Sequence, residues 1–308
     1  MQQDHIKRDT ILLPDGRRLG YAEYGDPDGP PVIYCHGFPS CRLEPGMVEI
    51  SAIRLVALDR PGYGLSDPKP GRRLVDWPAD VAAAADALGI GRFAVAGVSG
   101  GAPYAAACAA LLPDRVTGLA LICGIAPPNM GWEAGGAAAR LMMLDRLPGS
   151  ATLAVGLGRR LVLGLRSASL LRTLLRFGRL PEADRRVLAG RAGIHVLDSF
   201  REALRNGPQG ALDDARNFAQ PWNFHVGDIV VPTVIWHGDM DNQVPVAAAE
   251  VYARLIPHAQ LYIKDGEGHF SLVVQYNRSI ISSFFAIAER CVLTDVTSAA
   301  RTFPPAGG

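Results

Sequence analysis

The 308-residue chain has few of the features that mark several common classes of protein. Its five cysteines form no C-x-x-C pair, which argues against a disulfide framework or a zinc site and favours a reducing compartment. The formal net charge is only +1, so we expect no nucleic-acid partner. No uncharged apolar window of about 18 residues is present, which predicts no membrane span. The first letters, MQQDHIKRDT, lack the apolar run of a signal peptide, which favours a cytoplasmic location.

What the chain does contain is a regular alternation of short apolar runs and helical stretches. Buried strands are predicted at 32–35, 54–58, 93–96, 117–123, 231–236 and 259–263, and helices at 74–88, 102–112, 246–256 and 270–290. This alternation is typical of an α/β domain with a parallel sheet covered on both faces. Near the start, the turn Asp15-Gly16 predicts a hairpin that adds antiparallel strands at one edge.

The segment 127–222 has a different pattern, with no clear strand and many Leu, Ala and Arg residues. We predict several short amphipathic helices there, inserted as a cap into a core of residues 1–126 and 223–292, and a flexible tail at 293–308. From residue 129 to 222 there are 14 Arg, no Lys and 8 acidic residues, a balance of +6. A solvated outer face explains this balance. The alternative is a preference for acidic substrates or an anionic surface.

The letters GVSGG at 97–101 match the pattern G-x-S-x-G between a predicted strand and a predicted helix. In such a turn a serine takes strained backbone angles that expose its hydroxyl at the carboxyl edge of the sheet. Ser99 is therefore the candidate nucleophile, and Gly97 and Gly101 must be small to avoid the adjacent strand and helix. A phosphate loop is disfavoured because neither G-x-G-x-x-G nor Gly-Lys-Ser/Thr is matched. The pattern alone leaves a purely structural glycine turn open.

A serine nucleophile needs a base and an orienting acid, and two other strand ends supply candidates. His269, in the letters GEGHF, follows the last predicted strand and precedes the last helix. In HGDMDNQVP at 237–245, two acids follow a strand. We favour Asp241, because Asp239 lies too close to the strand end and is typical of a turn former.

Two backbone N–H groups are candidates to stabilise an oxyanion. One belongs to Gly100, directly after the nucleophile, and the other to Phe38, in the loop after the strand at 32–35. Two further histidines, His36 and His237, also lie at strand ends. We interpret both as structural residues that fix the loops beside them.

Three side chains are candidates to line a substrate pocket: Val98, Trp132 and His195. For His195 a structural role is the alternative. Cys41, after the oxyanion loop, is a candidate for a modifiable thiol near the pocket, but nothing indicates that it is a second nucleophile. No group of histidines or cysteines has the spacing of metal ligands, so no metal is expected.

Five pieces of the chain together resemble the α/β-hydrolase family, in its hydrolase-1 branch with a helical cap. They are HGFP at 36–39, DRPGYGLS at 59–66, GVSGG at 97–101, GDMD at 238–241 and GHF at 268–270. The resemblance implies an α/β-hydrolase fold, with a mostly parallel eight-stranded sheet and a lid over the site. It also implies hydrolysis without a metal or organic cofactor, and the order Ser99, Asp241, His269 is that of the family's catalytic triad.

Departures from the family narrow the expected reaction. Serine stands at position 99 where the related epoxide hydrolases and haloalkane dehalogenases use aspartate. Gly100 stands where proline iminopeptidases usually carry tryptophan, and where perhydrolases and carbon–carbon bond hydrolases commonly carry methionine.

We therefore expect a serine hydrolase that cleaves a small carboxylic ester, thioester or lactone through an acyl-enzyme on Ser99. Two alternatives remain. One is hydrolysis of a carbon–carbon bond or an amide by the same residues, and the other is a non-catalytic ligand receptor. The expected partner is a small-molecule acyl substrate, and the sequence does not predict the oligomeric state.

Overall fold

A single eight-stranded sheet organises the chain, in the order β1-β2-β4-β3-β5-β6-β7-β8. The structure is a computed structural model, and it describes residues 7–132, 156–157, 160 and 180–283. The strands are β1 (Lys7–Leu12), β2 (Arg18–Gly25), β3 (Pro31–Cys35), β4 (Arg54–Leu58), β5 (Phe93–Val98), β6 (Val116–Ile122), β7 (Thr233–Gly238) and β8 (Gln260–Lys264). β1 pairs with β2 and β2 with β4 in antiparallel fashion. All the other pairs are parallel, so the predicted mostly parallel sheet is confirmed.

Seven α-helices with seven or more described residues accompany these strands, and residues 156–157 and 160 are helical as well. The seven are α1 (Trp77–Ala87), α2 (Ala102–Leu111), α3 (Glu182–Leu188), α4 (Arg191–Ala203), α5 (Gln209–Ala219), α6 (Ala247–Leu255) and α7, which begins at residue 269 and is described to residue 283. Within these residues, none of the helices is both long enough and apolar enough to cross a bilayer.

The predicted elements agree with the structure except near two prolines. The helix expected from residue 74 opens with a 3-10 turn, Leu74–Asp76, and the α-helix follows from Trp77. Pro78 suits this place, because proline lacks the N–H that an α-helix leaves unpaired in its first turn. The strand expected from residue 231 begins at Thr233, because Pro232 has no N–H to donate to the ladder. The predicted end of the last helix, 284–290, lies outside the described residues.

The core has two layers because successive side chains of each strand point to opposite faces of the sheet. In β3, Ile33 and Cys35 contribute to one buried cluster, which also contains apolar residues of α1, α2 and α6. Val32 and Tyr34 contribute to a second cluster on the other face, where α7 packs. The sheet is thus covered on both faces, as the continuous apolar strands predict.

The inserted segment forms α3, α4 and α5, in agreement with the expected short helices. These helices pack firmly against the sheet domain. Phe218 of α5 is completely buried in the first core cluster. In the loop between α4 and α5, Asn206 donates to the carbonyl of Gly64 at 2.9 Å. The division into a core and a cap stays a prediction. Most of residues 133–179 and the whole predicted tail, 293–308, lie outside the described residues.

A buried carboxylate joins α5 to the sheet domain. Asp214 accepts hydrogen bonds from Arg60 at 2.7 Å, Arg72 at 2.5 Å, and the hydroxyls of Tyr63 and Tyr104 at 2.9 and 2.5 Å. All five residues are buried. Burial by itself would raise the pKa of Asp214, but the two guanidinium groups hold it well below its usual range.

Removing this charge should strongly destabilise the fold. Asp214→Asn leaves two buried guanidinium groups without their anion, and we expect a loss of about 3–5 kcal/mol in the free energy of unfolding. The matched control is Asp198→Asn in α4, where an exposed carboxylate pairs with Arg201 at 2.9 Å. That change should cost at most about 0.5 kcal/mol. Urea unfolding measures both, and equal small losses would contradict a structural role for the buried ion pair.

Candidate active site

Ser99 occupies the turn that connects β5 to α2. Residues Ser99–Gly101 form a single 3-10 turn, and the φ angle of Ser99 is +55°. A non-glycine residue in this left-handed region costs about 1–3 kcal/mol, so surrounding contacts must hold the turn in place. The strained serine that the sequence predicts is present, at the carboxyl edge of the sheet.

Two glycines make this turn possible. A Cβ atom added to Gly97 would lie 2.6 Å from the carbonyl oxygen of Gly101 and 2.7 Å from the Cα of Ala102. A Cβ atom added to Gly101 would overlap the carbonyl oxygen of Cys35 and lie 2.6 Å from that of His36. The prediction that both positions must be small is confirmed, because these obstacles are backbone atoms.

Asp241 and His269 meet at the same edge of the sheet. Asp241 follows β7, His269 begins α7, and His269 Nδ1 lies 2.6 Å from Asp241 Oδ2. The other carboxylate oxygen of Asp241 accepts the amides of Gln243 at 2.8 Å and Val244 at 3.0 Å. Asp239 instead accepts the amide of Gly266 at 2.7 Å. The geometry thus agrees with Asp241 as the acid that orients the imidazole and with Asp239 as a turn former.

This pair has the electrostatics of a base supported by an anion. Burial by itself would lower the pKa of His269, but the charge and hydrogen bond of Asp241, with the nearby carboxyls of Asp184 and Glu44, raise it above 6.5. Burial by itself would raise the pKa of Asp241, but the charge and hydrogen bond of His269 hold it below its usual range. The imidazole is therefore more basic than a free histidine.

Two other histidines at strand ends are structural, as expected. His36 is completely buried; its Nε2 accepts the amide of Arg60 at 3.2 Å, so Nδ1 carries the proton and donates to the carbonyl of Gly37 at 2.9 Å. His237 is also completely buried, and its Nε2 lies 2.8 Å from the carbonyl of Val244. Each ring holds a loop against the strand below it.

Phe38 and Gly100, the two residues whose backbone N–H groups are expected to bind an oxyanion, lie close together. A Cβ atom added to Gly100 would lie 2.6 Å from the Cβ of Phe38, so only glycine allows this approach. The loop that carries Phe38 is held from both sides. Gly37 donates its amide to Glu44 at 2.6 Å and accepts a hydrogen bond from Arg60 at 2.9 Å.

A cavity lies at this carboxyl edge of the sheet. Its volume is about 800 Å³, including the part that is open to solvent. Ser99 and His269 both line it. The other lining residues are Gly37, Phe38, Pro39, Ser40, Glu44, Met47, Val98, Ile125, Phe200, Gln243, Val244, Phe270 and Val273. Phe200 is the contribution of α4, which the sequence did not predict, because the facing side of an inserted helix cannot be determined from one sequence.

Of the three predicted pocket residues, the structure places only Val98 at the cavity. Trp132 is directed elsewhere, because its indole donates to the carbonyl of Pro127 at 2.7 Å and its ring packs on the core. His195 packs against the backbone of Gly46, where an added Cβ atom would overlap its Nε2. Trp132 and His195 are thus not among the described residues that line the cavity.

Asp184 is a site residue that sequence reasoning missed. This buried carboxylate of α3 accepts the amides of His269 at 3.0 Å, Phe270 at 2.9 Å and Ser271 at 2.8 Å. It thus satisfies the first N–H groups of α7 and fixes the residue that pairs with Asp241. The signal in the sequence was weak, because one acid among the arginines of the inserted segment resembles a solvated surface residue.

Glu44 is the second missed residue, and it lies in the cavity wall. Its carboxyl accepts the Gly37 amide and interacts with the hydroxyl of Tyr34. Burial raises the pKa of Glu44 to about 7, although the Gly37 amide, Arg60 and His269 act in the opposite direction. A carboxyl with this pKa exchanges its proton near neutral pH.

The cysteines of this region are poor ligands and poor nucleophiles. Cys123 Sγ lies within 4.8 Å of a carboxylate oxygen of Asp241 and a ring nitrogen of His269. A metal there would need a thiolate, whereas burial raises the pKa of Cys123 well above its usual range. Cys41 is completely buried, and burial raises the pKa of this thiol as well. The expectation of a modifiable thiol at Cys41 is therefore corrected.

The family model described as alpha/beta hydrolase fold matches residues 30–276. The chain therefore belongs to the α/β-hydrolase family, a class of hydrolases to which the fold and the resemblance of its motifs both point. Solved structures agree on the fold. An alpha/beta hydrolase fold protein from Nakamurella multipartita superposes with a TM-score of 0.66 at 21% identity, over 92% of this chain and 99% of that one. An esterase from Rhodococcus sp. gives a TM-score of 0.63 at 22% identity, over 92% and 98%.

Curated relatives are similar over part of their length. A proline iminopeptidase from Neisseria gonorrhoeae is 36% identical over 136 residues, which are 41% of this chain and 44% of the relative. A non-heme chloroperoxidase from Streptomyces lividans is 32% identical over 124 residues, 38% of this chain and 45% of the relative. The matched region is thus less than half the length of either relative.

The proton on Glu44 should make stability depend on pH. Because its pKa lies near 7 in the folded state and near 4.5 when unfolded, its ionisation destabilises the folded state as pH rises between these values. Glu44→Gln should therefore gain stability relative to the wild type between pH 5 and pH 8, by on the order of 1–3 kcal/mol. Urea unfolding at both pH values measures the difference.

The control is Glu49→Gln, in which an exposed carboxyl near the same 3-10 turn is changed. Because this side chain is exposed and only pairs with Arg278 at the surface, its replacement should change the free energy of unfolding little at either pH. A pH-independent difference for Glu44→Gln would contradict the unusual pKa of Glu44.

Proposed function

We propose that this α/β-hydrolase is a serine esterase that cleaves a small carboxylic ester, thioester or lactone through an acyl-enzyme on Ser99. The observation that carries the proposal is the shared cavity of Ser99 and His269, in which Asp241 holds the imidazole at 2.6 Å. Three strand ends supply a strained serine, a basic imidazole and a carboxylate. This is the set of groups that acyl transfer requires.

In the proposed first half-reaction, His269 Nε2 accepts the proton of the Ser99 hydroxyl as the oxygen attacks the substrate carbonyl. Asp241 keeps the proton on Nδ1 and stabilises the imidazolium that forms. The amides of Phe38 and Gly100 donate to the oxyanion. The imidazolium then protonates the leaving alcohol or thiol, which leaves an acyl group on Ser99.

In the proposed second half-reaction, neutral His269 accepts a proton from water, which attacks the acyl carbonyl. The same two amides hold the oxyanion again. Its collapse releases the carboxylic acid and returns the proton from His269 to Ser99. The proposed chemistry needs only side chains and backbone amides of this chain and water, with no metal or organic cofactor.

We further propose that the inserted segment 127–222 acts as a cap, because Phe200 of α4 lines the cavity. We also propose that the substrate is a small acyl molecule and that the protein is cytoplasmic.

An amide substrate is the second candidate, supported by the similarity to a proline iminopeptidase over 136 residues. Gly100, in place of that group's usual tryptophan, favours the ester.

Labelling with a fluorophosphonate tests the nucleophile and separates an enzyme from a ligand receptor. The folded protein should react once, at Ser99, and Ser99→Ala should abolish labelling and lower kcat on aryl esters by about 10⁴-fold or more. Ser51→Ala, at an exposed loop serine, is the matched control and should be labelled as the wild type is. Folded protein that stays unlabelled at Ser99 would contradict the proposal. Dominant turnover of β-diketones or aminoacyl amides would show that the preferred substrate is not an ester.

The pH profile tests the base. His269 must be neutral to accept a proton, so kcat/KM should rise with pH through a midpoint above 6.5, in line with its raised pKa. Asp241→Asn removes the charge that raises this pKa, so the midpoint should move to lower pH while kcat falls about 10⁴-fold. The control, Asp239→Asn, should leave the midpoint in place. An unchanged midpoint in Asp241→Asn would show that another group titrates.

A further inference from the structure

We propose that a second, apolar pocket binds the acyl chain of the substrate, so that the enzyme prefers esters of medium-length fatty acids over short ones. This inference rests on the proposed function, and it concerns a part of the molecule below the catalytic edge. The pocket has about 530 Å³ of space, its solvent-open part included. We call it the side pocket.

The side pocket adjoins the cavity that contains Ser99. Three residues line both spaces: Met47, Val98 and Val273. Val98 directly precedes Ser99, so the common wall lies one residue from the proposed nucleophile. In our proposal, an acyl group bound to Ser99 extends past these three side chains into the side pocket.

The connection from β3 to β4 contains little helix, and this leaves room for the side pocket. Between Cys35 and Arg54 the only helix is the 3-10 turn Glu44–Met47, all of it within the described residues. This turn and α7 flank the pocket over the face of the sheet that carries Tyr34 and Ala96. A full helix in this connection would cover that face.

The lining has the chemistry of a hydrocarbon site. Of its fifteen residues, thirteen have aliphatic or thioether side chains, and the others are Tyr34 and Asn277. Tyr34 and the amide nitrogen of Asn277 have partners outside the pocket, whereas the buried Oδ1 of Asn277 has none among the described residues. The Tyr34 hydroxyl interacts with Glu44, and Asn277 donates to the carbonyl of Glu49 at 2.9 Å. A wall of this kind binds methylene groups and disfavours charged or strongly hydrated ones.

Glu44 lies on the polar side of the boundary between the two spaces. Its carboxyl lines the cavity of Ser99, whereas its partner Tyr34 lines the side pocket. The polar end of a substrate, with its carbonyl and leaving group, thus has hydrogen-bonding neighbours. Its hydrocarbon end meets an almost wholly apolar lining, in which Asn277 Oδ1 is the one unpaired buried side-chain polar atom among the described residues. This contrast matches the two ends of a fatty acyl ester.

The expected selectivity follows from methylene burial. Each further methylene that enters the side pocket should raise kcat/KM by about fourfold. An octanoate ester has four more methylenes than a butanoate ester, so we expect the wild type to favour the longer chain by up to about 250-fold. An enzyme whose acyl group stays in the open cavity would show no such dependence.

The first experiment fills the side pocket from the sheet. Ala96 lines it, whereas Ala94 points to the same face of β5 and is equally buried but does not line it. Ala96→Leu should lower the octanoate-to-butanoate ratio of kcat/KM for p-nitrophenyl esters by at least about tenfold. Ala94→Leu should leave the ratio unchanged. If Ala96→Leu fails to fold, Ile281→Trp at the half-buried rim makes the same test. An unchanged ratio in the filled variant overturns the proposal.

The second experiment separates this inference from the proposed function. Dodecanoate binding to Ser99→Ala, measured by calorimetry, needs no catalysis. It should be detectable and should weaken at least about tenfold in the double variant with Ala96→Leu. Binding with this pattern but no ester turnover by the wild type supports the pocket and contradicts the esterase. Ester turnover without dodecanoate binding or chain-length preference supports the esterase and overturns the pocket.

Discussion

The buried ion pair of Arg60 and Asp214 is the interaction on which the candidate site depends. Arg60 donates to the carbonyls of His36 and Gly37, so it holds the loop whose next residue, Phe38, is proposed to bind the oxyanion. A guanidinium without solvent needs an anion, and the anion comes from α5 of the inserted segment, 154 residues further along the chain. The desolvation of one charge thus couples the inserted helices to the oxyanion loop. The packing of α5 and the geometry of the oxyanion loop therefore both depend on the pairing of Arg60 with Asp214.

Carboxylates also stabilise the loops at the carboxyl edge of the sheet, where many backbone N–H groups need hydrogen-bond acceptors. Asp184 accepts the first amides of α7, Asp241 accepts those of its own loop, and Glu44 accepts that of Gly37. Each carboxyl replaces water that the packed loops exclude. Their summed negative potential also makes His269 a stronger base. The carboxylates that accept hydrogen bonds from these loops therefore also raise the basicity of the proposed general base.

The sequence predicted those parts of the site whose signal is local. Ser99 was identifiable because its turn requires small residues at two fixed positions, and His269 and Asp241 because strand ends in a parallel sheet share one edge. Asp184, Asp214 and Glu44 were missed, because their role depends on partners that only the tertiary fold brings near; Asp184 and His269 are 85 residues apart. The contacts of Trp132 and His195 could not be predicted for a related reason, since the direction of a side chain in an inserted segment depends on packing that one sequence does not reveal.

The central claim is that three strand ends converge on one reacting carbon. A crystal structure of the protein phosphonylated at Ser99 tests it most directly, because the phosphonyl oxygen reproduces the oxyanion of a tetrahedral intermediate. The account predicts this oxygen about 3 Å from the amide nitrogens of both Phe38 and Gly100, with His269 Nε2 within hydrogen-bonding distance of the Ser99 oxygen. A phosphonyl oxygen directed away from both amides, or an imidazole that cannot reach Ser99, would contradict it.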